Sequence, residues 1–300
     1  MAYAGDLKSP VPNGTCGFDP HPGHSLSAEV MTRRGGSRGT LALAGDRLCR
    51  PLALRALSEP PRRRSSAAKN LNQKMRPKNK IYSSVDAAVA DIPDGATILF
   101  GGFGGAGFPN NLIQALARQG ARNLKVISNN CGTGDGELGI LFKNRQVSRV
   151  VAAFPGPGAK HFQEQLDAGN IELELVPQGI LCERMRAYGA GIPAFYSPVG
   201  VGTEVARGKE ERLIRGKRYI LEDALGADCA FIKAYRADRL GNLIYRKAAR
   251  NFNPIMATAA RLTIVEVEEI VEVGTLDPET IVTPSIFVDR IVQARGLRFV

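Results

Sequence analysis

The sequence ATILFGGFGGAGFPNNLIQALARQG, residues 96–120, joins a short apolar run, a glycine-rich loop and an amphipathic segment. The apolar run is typical of a buried strand, and the spacing after the loop predicts a helix that stops at Gly120. Gly102, Gly104 and Gly107 have the G-x-G-x-x-G spacing of dinucleotide-binding folds. A loop between a strand and a helix can hold a phosphate or carbonyl group, because helix N-terminal N–H groups favour negative charge. The stretch therefore predicts a ligand site at the carboxyl end of a strand.

Two features weigh against a dinucleotide as the ligand. A Rossmann unit needs an acidic residue after its second strand to hold the ribose hydroxyls, but the strand at 124–128 is followed by Asn129 and Asn130. The third glycine should lie inside the helix, whereas Pro109 indicates that the helix begins after Gly107 with proline in its first turn. A Rossmann-type NAD-dependent oxidoreductase and a tight turn without a ligand stay open as alternatives.

Strands and helices alternate along the chain after residue 80. Strands are predicted at 96–100, 124–128, 147–154 and 171–176, and helices at 110–120, 159–169 and 180–189. A hairpin is predicted for 228–235 with 242–248, and a further strand for 262–274. This pattern predicts an α/β fold, with a mostly parallel sheet flanked by helices and an antiparallel hairpin toward the C-terminus.

The net charge of +11 belongs almost entirely to the N-terminal part of the chain. Residues 1–80 contain fifteen of the 40 Lys and Arg and five of the 29 Asp and Glu, which leaves +1 for the other 220 residues. A nucleic-acid-binding fold would carry its basic face on the folded part. The charge distribution therefore argues against nucleic acid as a partner.

Residues 1–75 are rich in Pro, Gly, Ser and Arg and show no sustained periodicity. We expect a disordered basic extension there, and a single domain over 76–300. An organelle-targeting segment and translated sequence upstream of a start at Met75 are the alternatives. The sequence has no stretch of 18 apolar residues, so no membrane span is predicted.

Cysteine and histidine usage excludes several kinds of site. The five scattered cysteines include no C-x-x-C pair, which fits reduced thiols and a cytoplasmic location better than disulfides or zinc. His161 is the only histidine outside the tail, and we expect it on a helix surface. The sequence therefore predicts no metal site and no Ser-His-Asp triad.

The stretch DGATILFGGFGGAGFP (94–109) resembles the first signature of the family I CoA-transferases, with an Asp-Gly pair, an apolar triplet, Gly-Gly-Phe and Gly-x-Pro in order. Further blocks agree in sequence and order, namely SNNCG (128–132), ELELVPQG (172–179), GAGIPAFYSPVGVGT (189–203) and IYRKAARNFNPIMA (244–257). The resemblance runs from about Ile81 to Val292. It is to one half of the catalytic unit, the A subunit of succinyl-CoA:3-oxoacid and 3-oxoadipate CoA-transferases.

The resemblance implies an enzyme that moves CoA from succinyl-CoA to a 3-oxoacid, either acetoacetate or 3-oxoadipate. In this family a glutamate attacks the thioester to form a mixed anhydride, and the released thiolate then makes a glutamyl-CoA intermediate. That glutamate lies in a Ser-Glu-Asn-Gly segment of the other half, and this sequence has no such segment. We therefore expect no catalytic nucleophile here, activity only with a homologous B subunit in a heterodimer or heterotetramer, and CoA as substrate with no permanently bound cofactor. A non-catalytic acyl-CoA-binding partner is the alternative.

The resemblance also implies which residues line the site. CoA is expected at the glycine loop, formed by Gly101, Gly102, Phe103, Gly104, Gly105, Ala106 and Gly107. Asn129, Asn130 and Gln178 occupy positions on the acid-substrate side, where amide groups can bind a carboxylate. An Asx-type turn at the asparagines and a helix cap at Gln178 are the structural alternatives. Glu137, in GDGELG, is interpreted as a residue in the first turn of a helix.

Overall fold

A computed structural model describes residues 79–294, and the predicted extension over 1–75 lies outside them. The strands are β1 Ile81–Tyr82, β2 Thr97–Phe100, β3 Leu124–Ser128, β4 Val147–Ala152, β5 Glu172–Leu175, β6 Ala194–Ser197, β7 Glu211–Ile214, β8 Lys217–Asp223, β9 Ala227–Asp238, β10 Leu243–Ile244, β11 Ala260–Val271 and β12 Arg290–Gln293. The helices are α1 Val85–Val89, α2 Asn110–Gln119, α3 Gly139–Lys143, α4 Lys160–Asp167, α5 Gln178–Gly189 and α6 Asn253–Thr258. Within this part of the chain, no helix is long and apolar enough to cross a membrane.

The main sheet has the strand order β1-β12-β11-β9-β2-β3-β4-β5, and each of these neighbouring pairs is parallel. β10 pairs antiparallel with β9, with Leu243 opposite Ala237, and forms the predicted hairpin. The predicted fold class is therefore confirmed. Because the strands are parallel, the carboxyl ends of β2, β3, β4 and β5 lie side by side at one edge, where open α/β sheets bind their ligands.

Apolar side chains cover both faces of the main sheet. Along β2, Ile98 and Phe100 belong to one apolar cluster and Leu99 to the other, which is the alternation of a strand buried on both faces. Phe231 of β9 packs edge to face on Phe100, with the ring centroids 5.4 Å apart. The glycine loop therefore starts from a strand end that is fixed by the core on both sides.

Helix α2 begins at Asn110, where the predicted helical segment begins, but Pro109 is not in its first turn. Pro109 has a ψ of 66°, outside the helical region, so it precedes the helix instead of lying in its first turn. Gly120 ends the helix as predicted, with a left-handed φ of 86° and its N–H bonded to the carbonyl oxygen of Leu116. The strand, loop and helix order of residues 96–120 is thus confirmed.

An antiparallel sheet of order β6-β8-β7 is the main element that the sequence does not predict. Arg215 and Gly216 join β7 to β8, and both have positive φ angles, 50° and 79°. Positive φ at both central residues is the geometry of a type I′ hairpin turn, for which Asn-Gly is the usual sequence. Because Arg-Gly stands there and Leu213 is 69% exposed, the turn signal and the apolar alternation are both weak in the sequence.

Candidate functional site

The glycine loop after β2 is a miniature hairpin. The N–H of Phe103 donates to the carbonyl of Ala106, and the N–H of Ala106 donates back to Phe103, both at 3.0 Å. Gly104 and Gly105 form the tip of this glycine hairpin (residues 103–106), and Gly104 has a φ of 58°. Within the described part of the chain, the N–H groups of these two glycines donate no hydrogen bond. The tip therefore presents two unused donors at the carboxyl edge of the sheet.

Close packing, and not a ligand, accounts for the G-x-G-x-x-G spacing at two of its three positions. A Cβ on Gly102, which has a φ of 133°, would lie 2.5 Å from the ring of Phe108, and one on Gly107 would lie 2.8 Å from the carbonyl oxygen of Ala249. Gly104 differs, since no heavy atom lies within 4 Å of its added Cβ. The spacing thus arises from the fold, and only the tip of the hairpin is open.

Asn253 holds the stem of the glycine hairpin. Its side chain is fully buried, and its Nδ2 donates to the carbonyl oxygen of Gly107 at 3.1 Å. Its Oδ1 accepts from the backbone N–H of Lys233 on β9 at 2.9 Å. Nearby, Asn251 Nδ2 donates to the carbonyl oxygen of Ala106 at 3.0 Å. Both asparagines lie in the signature block at 244–257, but no role is predicted for them, because the spacing in sequence does not reveal a contact some 146 positions away.

The N-terminus of α2 is already occupied by a carboxylate of the protein. Glu266 of β11 is 1% exposed, and its Oε2 accepts from the backbone N–H groups of Asn111 at 2.9 Å and Leu112 at 3.1 Å. Its Oε1 lies 3.9 Å from Nζ of Lys233. Burial raises the pKa of Glu266 to about 7, while these donors and Lys233 act in the opposite direction. The expectation of free helix N–H groups for a ligand is therefore wrong, since Glu266 takes two of them.

The two predicted asparagines differ in their bonding. Oδ1 of Asn130 accepts from the N–H of Gly132 at 3.0 Å, which is the Asx-type turn considered as an alternative. Its Nδ2 reaches the carbonyl oxygen of Gly104 at 3.4 Å, so it also touches the hairpin tip. Asn129 is 4% exposed, and its Oδ1 has no hydrogen-bond partner among residues 79–294. The structure therefore brings the asparagine pair beside the glycine hairpin, with one amide oxygen unused.

Gln178 lies farther along the same edge of the sheet. It is the first residue of α5, after the carboxyl end of β5, and its side chain is exposed, while Pro177 before it is the N-cap of the helix. The alternative interpretation of Gln178 as a helix cap is therefore wrong. One strand, β4, lies between β5, which precedes Gln178, and β3, which precedes the asparagine pair.

Glu137 does not lie in the first turn of a helix, as the sequence suggests. It precedes the start of α3 at Gly139 and has a φ of 51°, in the left-handed region that non-glycine residues seldom adopt. Its side chain points toward the glycine hairpin, since Oε1 lies 3.6 Å from an added Cβ on Gly105. His161, by contrast, lies on α4 as expected, half-buried with its Nε2 2.6 Å from Asp135. Glu137 thus joins the glycine hairpin and the asparagine pair at the carboxyl edge of the sheet, and these residues together with Gln178 are called the cleft below.

Comparison with known proteins agrees with this geometry. Residues 82–294 match the family model described as coenzyme A transferase. The chain is 54% identical over 219 residues to the A subunit of the 3-oxoadipate CoA-transferase of Pseudomonas putida, covering 73% of this chain and 95% of the relative. It is 50% identical over 213 residues to the A subunit of the probable succinyl-CoA:3-ketoacid coenzyme A transferase of Bacillus subtilis, covering 71% and 89%.

A solved structure shares the fold. An acyl-CoA transferase from Escherichia coli O157:H7, solved as a thioester complex with CoA, superposes with a TM-score of 0.65 at 24% identity, covering 74% of this chain. This chain spans only 49% of that protein, about half its length. The relatives and the family model contradict the NAD-dependent alternative. From the match over residues 82–294 and the two close relatives, we conclude that the chain belongs to the coenzyme A transferase family.

Proposed function

We propose that this chain is the A subunit of a 3-oxoacid CoA-transferase, which moves CoA from succinyl-CoA to acetoacetate or 3-oxoadipate. The observation that carries the proposal is an identity of half or more to A subunits named for these reactions, over nearly their whole length. The same relatives support a family reaction on CoA thioesters, with CoA as substrate. They are named for different acids, so identity alone does not choose between acetoacetate and 3-oxoadipate.

The glycine loop from Gly101 to Gly107, which includes the glycine hairpin, is proposed as the CoA side of the site. The unused N–H groups of Gly104 and Gly105 support this role, because they can donate to a carbonyl oxygen of the thioester substrate. The open space around Gly104 supports it too, since a ligand can approach the backbone closely there. The hairpin carries no side chain that could act as a nucleophile, so its part in the reaction is binding and orientation.

Asn129, Asn130 and Gln178 are proposed to line the acid-substrate side. The exposed amide of Gln178 and the place of Asn129 directly before Asn130, which reaches the hairpin tip, support this assignment, since the NH2 of an amide can donate to a carboxylate. Asn130 contributes by holding the hairpin tip through Gly104, which sets the distance between the two sides of the cleft. Neutral amides suit the task because they bind a carboxylate without attacking it.

A homologous B subunit is proposed to supply the glutamate and to close the site. This partner is supported by the absence of a Ser-Glu-Asn-Gly segment and by the names of the relatives, which describe each of them as one subunit of an enzyme. Phe103 and Phe154, which follow the carboxyl ends of β2 and β4, are 47% and 61% exposed. A B subunit that covers these two rings would bury apolar surface and keep water from an anhydride intermediate. The complex is then a heterodimer or a heterotetramer of A and B subunits.

The remaining assignments follow the same proposal. Residues 76–300 form the A-subunit domain, residues 1–75 form an N-terminal extension of it, and the enzyme works in the cytoplasm. The match over residues 82–294 supports the position of the domain boundary. No resident cofactor is needed for the reaction, because the nucleophile and both substrates supply all of its bonds.

The experiment compares this chain alone, a B subunit with Ser-Glu-Asn-Gly alone, and their mixture, with succinyl-CoA and acetoacetate or 3-oxoadipate as substrates. We expect turnover only in the mixture, and we expect intact-mass measurement to find the covalent CoA adduct on the B chain. Turnover by this chain alone, or an adduct on it, would contradict the division of roles. Binding of CoA by the mixture without turnover would instead favour the non-catalytic acyl-CoA-binding alternative.

A further inference from the structure

Glu137 carries a buried carboxyl group that lacks the partners such a group normally has. The residue is 5% exposed, and its Oε2 has no hydrogen-bond partner among residues 79–294. Buried carboxyls usually meet a cation or several donors, because burial penalises an unpaired charge. Here burial raises the pKa of Glu137, and the N–H of Thr133 offsets this only in part. One oxygen of the group is thus free for a ligand.

The backbone at Glu137 also calls for an explanation. Its φ of 51° lies in the left-handed region, where a glycine would be free of strain. A strained residue with a buried acid, held beside an open loop, is the kind of outlier that clusters at functional sites.

The neighbouring charges are already paired with one another. Asp135, two residues earlier, is exposed and lies 3.2 Å from Lys143 and 2.6 Å from His161. Lys233, near the stem of the glycine hairpin, pairs with Glu266. Glu137 forms no ion pair within the described residues. Within the described residues, no cation of the protein therefore competes with a ligand for the Glu137 carboxyl.

The surroundings of Glu137 complement a secondary amide. The hairpin tip offers two unused donors, the N–H groups of Gly104 and Gly105, and the Glu137 side chain lies against Gly105 with an unused acceptor. A secondary amide carries one N–H donor and one carbonyl acceptor, so it can satisfy both sides. An ionised acid substrate has acceptors only and would leave the Glu137 oxygen unpaired.

We propose that Glu137 binds an amide N–H of the pantetheine arm of CoA, while the N–H groups of the hairpin tip hold an amide carbonyl of the same arm. The inference rests on the proposed function, because it takes a CoA thioester as the ligand. It makes Glu137 a binding residue that forms and breaks no covalent bond. A carboxyl offers an oxygen acceptor to the amide in either protonation state.

The test compares two thioester donors, assayed with the B subunit present. Succinyl-CoA carries the two pantetheine amides, and the succinyl thioester of propanethiol carries none. Glu137→Leu removes the acceptor at similar size, and Glu137→Gln keeps one. We expect Glu137→Leu to lower kcat/KM for succinyl-CoA by about tenfold to a hundredfold, the range for one buried hydrogen bond. We expect the propyl thioester to be affected by less than about threefold, and Glu137→Gln to restore most of the loss with succinyl-CoA.

Asp135→Asn is the matched control, since it removes an exposed carboxylate from the same loop, and we expect it to leave both donors unchanged. Equal losses with the two donors in Glu137→Leu would overturn the proposal, because a structural role affects both alike. If Glu137→Leu fails to fold, Glu137→Ala serves the same comparison. Calorimetric titration with pantetheine needs no turnover, so a binding loss in the Leu or Ala variant supports the contact even if the transfer reaction is absent. Unchanged pantetheine binding would count against it.

Discussion

Oε2 of Glu266 accepts a hydrogen bond of 2.9 Å from the backbone N–H of Asn111, in the first turn of the helix that follows the glycine hairpin. A side chain from a distant strand thus fills the place where many α/β proteins bind a ligand phosphate. The unused N–H groups lie instead at the hairpin tip, a few residues earlier. A ligand at this loop therefore meets peptide N–H groups from the side of the hairpin and not the end of the helix.

The buried Glu266 carboxyl should make the stability of the protein depend on pH. Burial raises its pKa from 4.5 to about 7, so between these values the folded protein holds a proton that the unfolded chain releases. The free energy of unfolding should therefore fall as pH rises through this window, by at most about 3 kcal/mol. Urea unfolding at about pH 5 and about pH 8 measures it, and Glu266→Gln should show a smaller difference between the two pH values than wild type.

Glu269→Gln is the control for this prediction. Glu269 lies on the same strand, exposed and 2.7 Å from Arg236, so its replacement should leave the pH difference of the wild type in place. An equal pH difference in wild type and Glu266→Gln would show that Glu266 does not titrate in this range.

Gly101→Ala should damage the cleft through packing alone. An added Cβ would lie 1.9 Å from Oδ1 of Asn253, which is fully buried and bonds both Gly107 and Lys233. We expect a loss of about 1–3 kcal/mol of unfolding free energy, as for other overpacked sites, together with a large loss of activity with the B subunit. Thermal unfolding and kcat/KM for succinyl-CoA measure the two effects.

Gly179→Ala provides the contrast, because no atom lies within 4 Å of its added Cβ and its backbone is helical. We expect this variant to be as stable as wild type or slightly more stable, given the higher helix propensity of alanine. A Gly101→Ala protein as stable as Gly179→Ala would mean that Asn253 moves aside without penalty.

Substitutions of Asn129 and Asn130 should have different effects, the first on substrate binding and the second on the stability of the fold. Asn130→Ala removes the acceptor of the Gly132 N–H, so we expect a loss of about 1 kcal/mol in unfolding free energy. Asn129→Ala removes an amide whose oxygen has no partner in the fold, so we expect unchanged thermal unfolding, and the loss of its NH2 donor should raise KM for the acid substrate about tenfold. Denaturation curves and steady-state kinetics with the B subunit check both. A destabilised Asn129→Ala with unchanged KM would assign that side chain to the fold.

Local patterns in the sequence predict the frame of the fold. The apolar run of β2, the stop at Gly120 and the order of strands and helices all depend on neighbouring residues, and the structure confirms them. The position of the cleft also follows, because parallel strands bring their carboxyl ends to one edge. The β6-β8-β7 sheet does not follow, since its strands are largely exposed and its turn uses Arg-Gly.

The contacts that shape the cleft depend on long-range packing. Glu266 stands in VEVEEI, where alternating charged and apolar residues predict a strand with its glutamates toward water. Nothing local distinguishes Glu266, which is buried, from Glu268, which is exposed. Likewise, the sequence shows Asn253 as one asparagine in a polar segment. Only the pairing of β11 with β9, and of β9 with β2, places Glu266 against the first turn of α2.

The distance along the chain between the hairpin and its supports has a consequence for biosynthesis. The peptide groups of the hairpin and of α2 leave the ribosome some 146 to 155 residues ahead of Asn253 and Glu266, which bond them. At about 5–20 residues per second, the nascent chain carries this loop for several seconds or more without its final contacts. β2 likewise lacks its neighbour on one side until β9 has been synthesised. The cleft is thus among the last parts of the molecule to become ordered, after most of the polypeptide has been made.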